Sequence, residues 1–232
     1  MILCTSYRKV KLFTSDPWTD SMTSEIGQVC NVKIGGMYVR EIIILSMVKI
    51  SQFNCGLKLH LFISVCLDNK KHNYIKTFDE WGDVFDIYFE IRVDILPDCG
   101  PNCVWTNVLH FNAGGDDNAN YGDRIPAVNI YNNGLDNSHI QIAHAFNGNK
   151  NHVVDIPLYV GKLYKITIRQ YYDSGTGRHY YEVLSNGASM DLQVNTQAKR
   201  FLNVKFYLSN PWTTAFAAEW GHVCNLNVSY FK

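Results

Sequence analysis

Side chains able to do chemistry gather in three short stretches rich in Asn, Asp and Gly: Asn112–Arg124, Asn132–Ser138 and Asn147–Asn151. In the first, Asp116, Asp117, Asn118, Asn120 and Asp123 offer hard oxygen donors, and Asn147 and Asn149 add more from the third. Oxygen donors in a flexible loop suit calcium, so Asp116, Asp117 and Asp123 are the candidate metal ligands. With Asn118, Asn120, Tyr121, Arg124, Asn147 and Asn149 they form the candidate ligand-contacting set. A second account covers the same residues. Asx-Gly sequences take left-handed and Asx-turn conformations cheaply, and no EF-hand spacing is present. Asp123 and Arg124 equally suit a structural ion pair that closes the loop.

Aromatic side chains are a further set. The apolar face of a sugar ring stacks on an aromatic ring, while its hydroxyls need amide, carboxylate or backbone partners. Tyr171, Tyr172, His179, Tyr180 and Tyr181 flank one hairpin, and Trp212 and Trp220 lie near the end of the chain. On strands, about half of them must point inward, so core packing competes with ligand contact for each. His110 and His144 have apolar neighbours and read as core histidines held by hydrogen bonds. No G-x-S-x-G elbow, H-E-x-x-H helix or phosphate-binding loop occurs.

Bulk composition narrows the partners. Lys+Arg and Asp+Glu both total 21 and the isoelectric point is near 7.1, so no broad basic face exists to neutralise a phosphate backbone, and nucleic acid is excluded as a partner. Hydrophobic residues make up 47% and aromatics 13%, enough for a core. The longest apolar stretch, Ile42 to Leu67, is broken by Lys49, Gln52, Asn54, Lys58 and His60, and reads as no transmembrane segment. The first residues, Met1 to Arg8, have the wrong charge order for a signal peptide. Cys99-Gly-Pro-Asn-Cys103 is either a local disulfide or a turn with two thiols, and no second Cys or His pair accompanies it to make a zinc site.

The elements that position these residues announce themselves by a repeat. Val10–Thr19 matches Val204–Thr213 and Glu25–Asn31 matches Glu219–Asn225, with eleven identities at a constant offset of 194. Val204, Phe206 and Leu208 alternate with polar residues as a half-buried strand, and Pro-Trp ends it. Cys224, Leu226, Val228 and Tyr230 then form the apolar face of a last strand, in which the cysteine is a small buried hydrophobe. The offset suits duplication of a whole domain, with the first copy cut down to its final strands. Residues 1–34 therefore read as the truncated tail of a preceding copy, 35–70 as a linker or divergent segment, and 71–232 as the complete domain.

Within that domain Phe85, Ile87, Phe89, Ile91, Val93 and Ile95 alternate with Asp86, Tyr88, Glu90, Arg92 and Asp94. Further strands read at about 105–111, 125–131, 139–146, 153–159, 163–172, 179–185 and 189–194. Asp173–Gly177 and Asn186-Gly187 are turn chemistry, and no segment after Phe78 has a helical period. The expected fold class is all-β, an antiparallel β-sandwich. Each strand crosses such a domain, so the first and third Asn/Asp loops share an end.

Trp105–Gly115, Tyr121–Val128, the Tyr164–Leu184 hairpin, Phe206–Trp212 and Gly221–Leu226 together resemble the concanavalin A-like lectin and glucanase superfamily, a jelly-roll sandwich. The likeness covers roughly residues 74–232 and is nearest to laminin-G-like modules of multidomain extracellular animal proteins. It implies a secreted binding module, although the chain shows no signal peptide, and many such modules use calcium near a sugar or protein site. It also implies a test for catalysis. Glucanases of this superfamily present an E-x-D-x-E row from one strand, whereas the corresponding row here is Asp86, Tyr88, Glu90, Arg92, Asp94, with a tyrosine in the middle and Arg92 placed to keep Glu90 ionised. The expectation is a non-enzymatic module recognising a glycan or glycoprotein through the Asn/Asp loops. The alternative is a structural or adhesive module that uses its polar sheet face. A tandem domain or strand-exchange neighbour is a further expected partner, and the Asn227-Val-Ser229 sequon on the polar face is compatible with secretion.

Overall fold

The computed structural model of the chain describes residues 32–34, 37–39, 51–53, 56–63, 73–97, 105–114, 120–132 and 137–231. Met1–Met47 form one compact unit and Val48–Lys232 a second. The first holds strands β1 (Val32–Ile34) and β2 (Met37–Val39), paired antiparallel with Lys33 opposite Tyr38.

The second unit is an antiparallel β-sandwich. Its strands are β3 (Ser51–Phe53), β4 (Gly56–Ile63), β5 (Tyr74–Trp81), β6 (Phe85–Val93), β7 (Trp105–Asn112), β8 (Ala127–Tyr131) and β9 (His139–Phe146), followed by β10 (Asn149–Pro157), β11 (Leu163–Asp173) and β12 (Arg178–Ser185). The last are β13 (Ala188–Asn195), β14 (Phe201–Tyr207), β15 (Thr214–Ala215) and β16 (Gly221–Phe231). One sheet runs β10-β9-β8-β7-β14-β5, with β15 added in parallel beside β7. The other runs β13-β12-β11-β6-β16-β4-β3. Residues 51–63, which the sequence leaves between the repeat and the domain, thus contribute two strands, β4 pairing with β16 from Leu226 opposite Ile63 to Phe231 opposite Lys58.

The alternation of β6 explains why it is central. Phe85, Ile87, Phe89, Ile91 and Val93 are all buried on the inner face, while Asp86, Tyr88, Glu90 and Arg92 look outward. Within one sheet Phe111 of β7 stacks on Phe206 of the neighbouring β14 with ring centres 4.4 Å apart, and Trp81 packs on Phe78 and Phe111 and, across the sandwich, on Phe85 and Tyr230. Interlocked rings of this size dominate the burial energy, and removing Trp81 would cost about 3–5 kcal/mol.

Two expectations are corrected by backbone geometry. Cys224 is half-exposed and disulfide-bonded, not a buried thiol. The cause is a bulge between Cys224 and Asn227, where Asn225 takes φ 52°. The extra residue resets the parity, so Val223 and Leu226 both face the core. Nor does β10 begin at residue 153. Asn147 and Gly148, with φ 48° and 78°, make a two-residue turn and the strand starts at Asn149. Asn-Gly is the pair that tolerates positive φ at both central positions, so the expected five-residue loop Asn147–Asn151 is a tight hairpin. The sequon at Asn227 faces outward as its alternation requires, yet Ser229 is only 6% exposed and Asn227 Oδ1 is buried, so the acceptor is not freely presented.

Candidate functional site

Strand direction gathers the described residues of five connections at one end of the sandwich: 82–84, 113–114 with 120–126, 147–148, 174–177 and 196–200. The first and third Asn/Asp segments meet there. Arg124 Nη1 donates to Asn151 Oδ1 at 2.6 Å, and its carbonyl accepts from Ala145 N at 2.8 Å. The Tyr121 phenol is hydrogen-bonded by the Gly148 backbone, and burial raises its pKa. Asn132 and Ser138 lie at the other end, where Asn132 Nδ2 donates to Pro97 O and Ser138 Oγ to Asn132 Oδ1.

Most of the expected oxygen donors at the shared end are spent on the fold. Asn147 donates to Val194 O at 3.0 Å and accepts from Thr196 N and Oγ at 2.7 and 3.0 Å, which ties the β9–β10 turn to the chain leaving β13. Asn149 Oδ1 accepts from Asn151 N at 2.9 Å. Asn120 contributes its backbone N–H, which donates to Asp123 Oδ2 at 2.5 Å. Asp123 is fully buried, and its Oδ1 has no hydrogen-bond partner. It makes no ion pair with Arg124, because the loop turns the carboxylate inward while Arg124 reaches Asn151; that expected pair is overturned. Asp116, Asp117 and Asn118 lie outside the described residues, as do Cys99 and Cys103. Among the described residues no three His, Cys, Asp or Glu side chains gather as a metal-binding group.

Beside these loops a small notch opens between the sheets, its lining including Trp81, Tyr121, His144, Gln197, Lys199 and Phe201. Tyr121 and Phe201 stack at its rim, 6.1 Å between centres and 23° apart, both half-exposed. The Lys199 ammonium sits 4.4 Å from the Tyr121 ring centre and 5.2 Å from that of Phe201. Deeper in, Asn195 Nδ2 donates to Gln170 Oε1 at 2.5 Å and Gln170 Nε2 donates to Asp83 O at 2.6 Å, closing the floor with satisfied amides. Trp81 Nε1 and His144 Nδ1 are buried without partners. Lys199 and Phe201 escape a reading of the sequence because Gln197-Ala198-Lys199-Arg200-Phe201 has neither Asx-Gly chemistry nor aromatic clustering.

The two core histidines part company. His110 is held as expected: Asn210 Oδ1 accepts from Trp212 N and Thr213 N, so its Nδ2 is the donor to His110 Nδ1 at 2.8 Å. The His110 proton is then on Nε2, donated to Asp123 O at 2.5 Å. His144 is buried but makes no hydrogen bond through Nδ1, and desolvation, reinforced by His152, lowers its pKa to about 3.

The outward row of β6 is engaged in hydrogen bonds and ion pairs. Glu90 accepts from Tyr88 OH at 2.7 Å and from Asn225 Nδ2 at 2.9 Å, and these two bonds hold its carboxyl below the usual carboxylate range. Burial first, then the bond to Glu90, pushes Tyr88 up to about 12. Arg92 pairs with Asp94 at 2.8 Å rather than with Glu90, because the bulged Asn225 has taken Glu90's free oxygen. Asp86 and Glu90 are four residues apart on an extended strand, roughly 13 Å along the backbone.

No family model matches the chain, and no curated protein matches it. Solved structures do. The chain is similar to a native heptameric SAP-like pentraxin from Limulus polyphemus, with 12% identity over 75% of each chain and a TM-score of 0.42. It is similar to the alginate lyase Aly36B, with 12% identity over 77% of this chain and 82% of that one, TM-score 0.39. It is also similar to the carbohydrate binding module CBM66 from Bacillus subtilis, with 10% identity over 79% and 92%, TM-score 0.32. At such scores these likenesses say nothing of ligand or activity, and the fold rests on the strand pairing itself.

Proposed function

We propose that the chain is a non-enzymatic, extracellular, laminin-G-like module that binds carbohydrate, free or on a glycoprotein, at the end of the sandwich where the 113–126, 147–148 and 196–200 connections meet. The observation that carries this is the half-exposed Tyr121–Phe201 pair at the lip of a notch whose lining holds unsatisfied polar atoms. Such a lip offers a sugar ring an apolar stacking face, with the exposed Gln197 and Lys199 side chains beside it for the hydroxyls. The non-enzymatic part of the proposal is supported by Glu90, whose carboxyl is held below the usual carboxylate range by its bonds to Tyr88 and Asn225, where a general acid needs a raised pKa.

Calcium belongs to this reading through Asp123. A fully buried carboxylate oxygen with no donor is the kind of atom a hard cation satisfies, and Asp123 would be one ligand of the several that calcium needs.

A glycan array probed with the whole chain, in calcium and in EDTA, tests the proposal. Retention of some glycan, lost in the Tyr121→Ala and Phe201→Ala variants, is the expected result. No retained glycan in either buffer would overturn it, and retention unaffected by either variant would place binding elsewhere, for example on the polar sheet face of the adhesive alternative. Calcium is expected to raise the melting temperature of the parent chain and not that of Asp123→Asn.

A further inference from the structure

The end of the sandwich opposite the Asn/Asp loops carries a different surface. Four large hydrophobic side chains stand out there, Ile95, Tyr159, Val160 and Leu163, which are 61%, 62%, 52% and 45% exposed. A hydrogen bond joins their two connections, from Gly161 N to Val93 O at 2.7 Å, two residues before Ile95. The turn itself is stiff. Lys162 N donates to Tyr159 O at 3.2 Å around Gly161 at φ 79°, and the Tyr164 hydroxyl ties Tyr159 N to Pro157 O. Leu158 and Tyr164 are buried beneath it, so Tyr159, Val160 and Leu163 are held out in solvent. From Ile156 to Tyr172 the chain has no acid. The exposed Lys162 ammonium lies 5.4 Å from the Tyr159 ring centre and 5.2 Å from that of Tyr164, with no carboxylate partner among the described residues. Of the acids on the neighbouring connections, Asp94 is paired with Arg92 at 2.8 Å and Glu219 is exposed.

We propose that this turn is a membrane-docking tip: Tyr159, Val160, Leu163 and Ile95 enter the boundary between headgroups and acyl chains of a phospholipid bilayer, with Lys162 against headgroup phosphates. The area favours lipid over protein. Four such side chains offer roughly a few hundred Å², whereas each partner in a stable protein interface buries about 800 Å². A bilayer needs no matching shape, and apolar side chains held out on a turn reach its acyl boundary. Tyrosine favours that depth because its ring is apolar and its hydroxyl polar, and a lysine keeps its ammonium among phosphates while its stem lies on apolar surface. The tip lies away from the glycan-binding end and does not depend on the reading given for it.

Co-sedimentation of the whole chain with phosphatidylcholine vesicles, with and without phosphatidylserine, tests this. Partition onto both is expected, tighter with phosphatidylserine by a margin that shrinks as salt is raised. Combining Tyr159→Ser with Val160→Ser should weaken both about tenfold, with the melting temperature unchanged because both side chains are exposed. Lys162→Gln should lower binding to the phosphatidylserine vesicles about fivefold and so remove most of their advantage. Leu192→Ser, at a leucine on β13 that is 51% exposed, should change nothing. No partition onto either vesicle, partition that the turn variants leave intact, or an equal loss in Leu192→Ser would overturn the proposal. So would self-association of the lipid-free chain in analytical ultracentrifugation that the Tyr159 and Val160 changes abolish, which would assign the tip to a second copy.

Discussion

His144 on β9 and Tyr181 on β12 lie face to face across the two sheets, 4.6 Å between ring centres and 4° from parallel. Each brings a buried polar atom that has no partner, His144 Nδ1 and Tyr181 OH. The stack is therefore held by ring packing at a cost in unmet hydrogen bonds, and that cost depends on pH.

Because burial lowers the His144 pKa to about 3, the folded chain keeps this imidazole neutral where an unfolded chain would protonate it, below about 6.5. The unfolded state binds the extra proton, so stability falls with decreasing pH between about 6.5 and 3, by about 1.4 kcal/mol per unit. Phenylalanine keeps the stack and removes the titration. Urea unfolding of the parent chain and of His144→Phe at pH 6.5 and 4.5 should show the parent losing about 2–3 kcal/mol more than the variant over that interval. Parallel losses would mean that His144 protonates inside the fold.

Asn210 is fully buried and its amide makes three hydrogen bonds, to His110, Trp212 and Thr213. Asn210→Ala strands three partners at once and should cost about 2–4 kcal/mol. Asn210→Asp keeps the two acceptor bonds but cannot donate to His110 Nδ1, so the ring must gain a proton there while still donating to Asp123 O. The Asp variant should thus be closer to the parent at pH 5 than at pH 8, as read from melting temperatures. An imidazole nitrogen resonance showing a neutral ring in the Asp variant at pH 5 would contradict this.

How much of this was legible in the sequence depends on whether a period or a local conformation carried the signal. The two-residue period of β6 placed Phe85 to Val93 in the core without ambiguity. The repeat was visible because it preserves positions the backbone requires. Ser209 and Asn225 take φ 93° and 52°, and a Cβ on Gly221 would lie 2.1 Å from Arg92 O. Ser15, Asn31 and Gly27 occupy the same places in the copy. Parity was lost where Asn225 inserts one residue, since a bulge leaves the composition of the strand unchanged. At the candidate site the convergence of Tyr121, Arg124 and the Asn147 turn followed from strand alternation. Lys199 and Phe201 did not, because their role comes from a connection that crosses between sheets, and pairing between sheets has no local signature.

Tyr164 shows a side chain acting as backbone. Its hydroxyl accepts from Tyr159 N at 2.7 Å and donates to Pro157 O at 2.9 Å, closing the turn between β10 and β11. Tyr164→Phe keeps the buried ring and orphans one donor and one acceptor. A loss of about 1–3 kcal/mol by chemical denaturation is expected, with the denaturant slope unchanged. A loss near zero would show that water replaces the hydroxyl at both groups.

Arg169 and Glu182 face each other across β11 and β12, and the guanidinium gives both Nε, at 2.8 Å, and Nη2, at 2.6 Å, to one oxygen, Glu182 Oε2. The partners are unequal: the Glu182 side chain is 8% exposed and that of Arg169 40%. Arg169→Met leaves a nearly buried carboxylate without its counter-charge, while Glu182→Gln leaves a cation that solvent can reach. The first should therefore cost more, about 2–3 kcal/mol after allowing for the exposure of Arg169, and the second about 1 kcal/mol or less. The double variant Arg169→Met, Glu182→Leu removes the stranded charge and should recover most of the loss. If Arg169→Met and Glu182→Gln prove equal in equilibrium denaturation, burial of Glu182 is not what sets the strength of the pair, and ring contact between Arg169 and Tyr171, 5.1 Å away, is the remaining account.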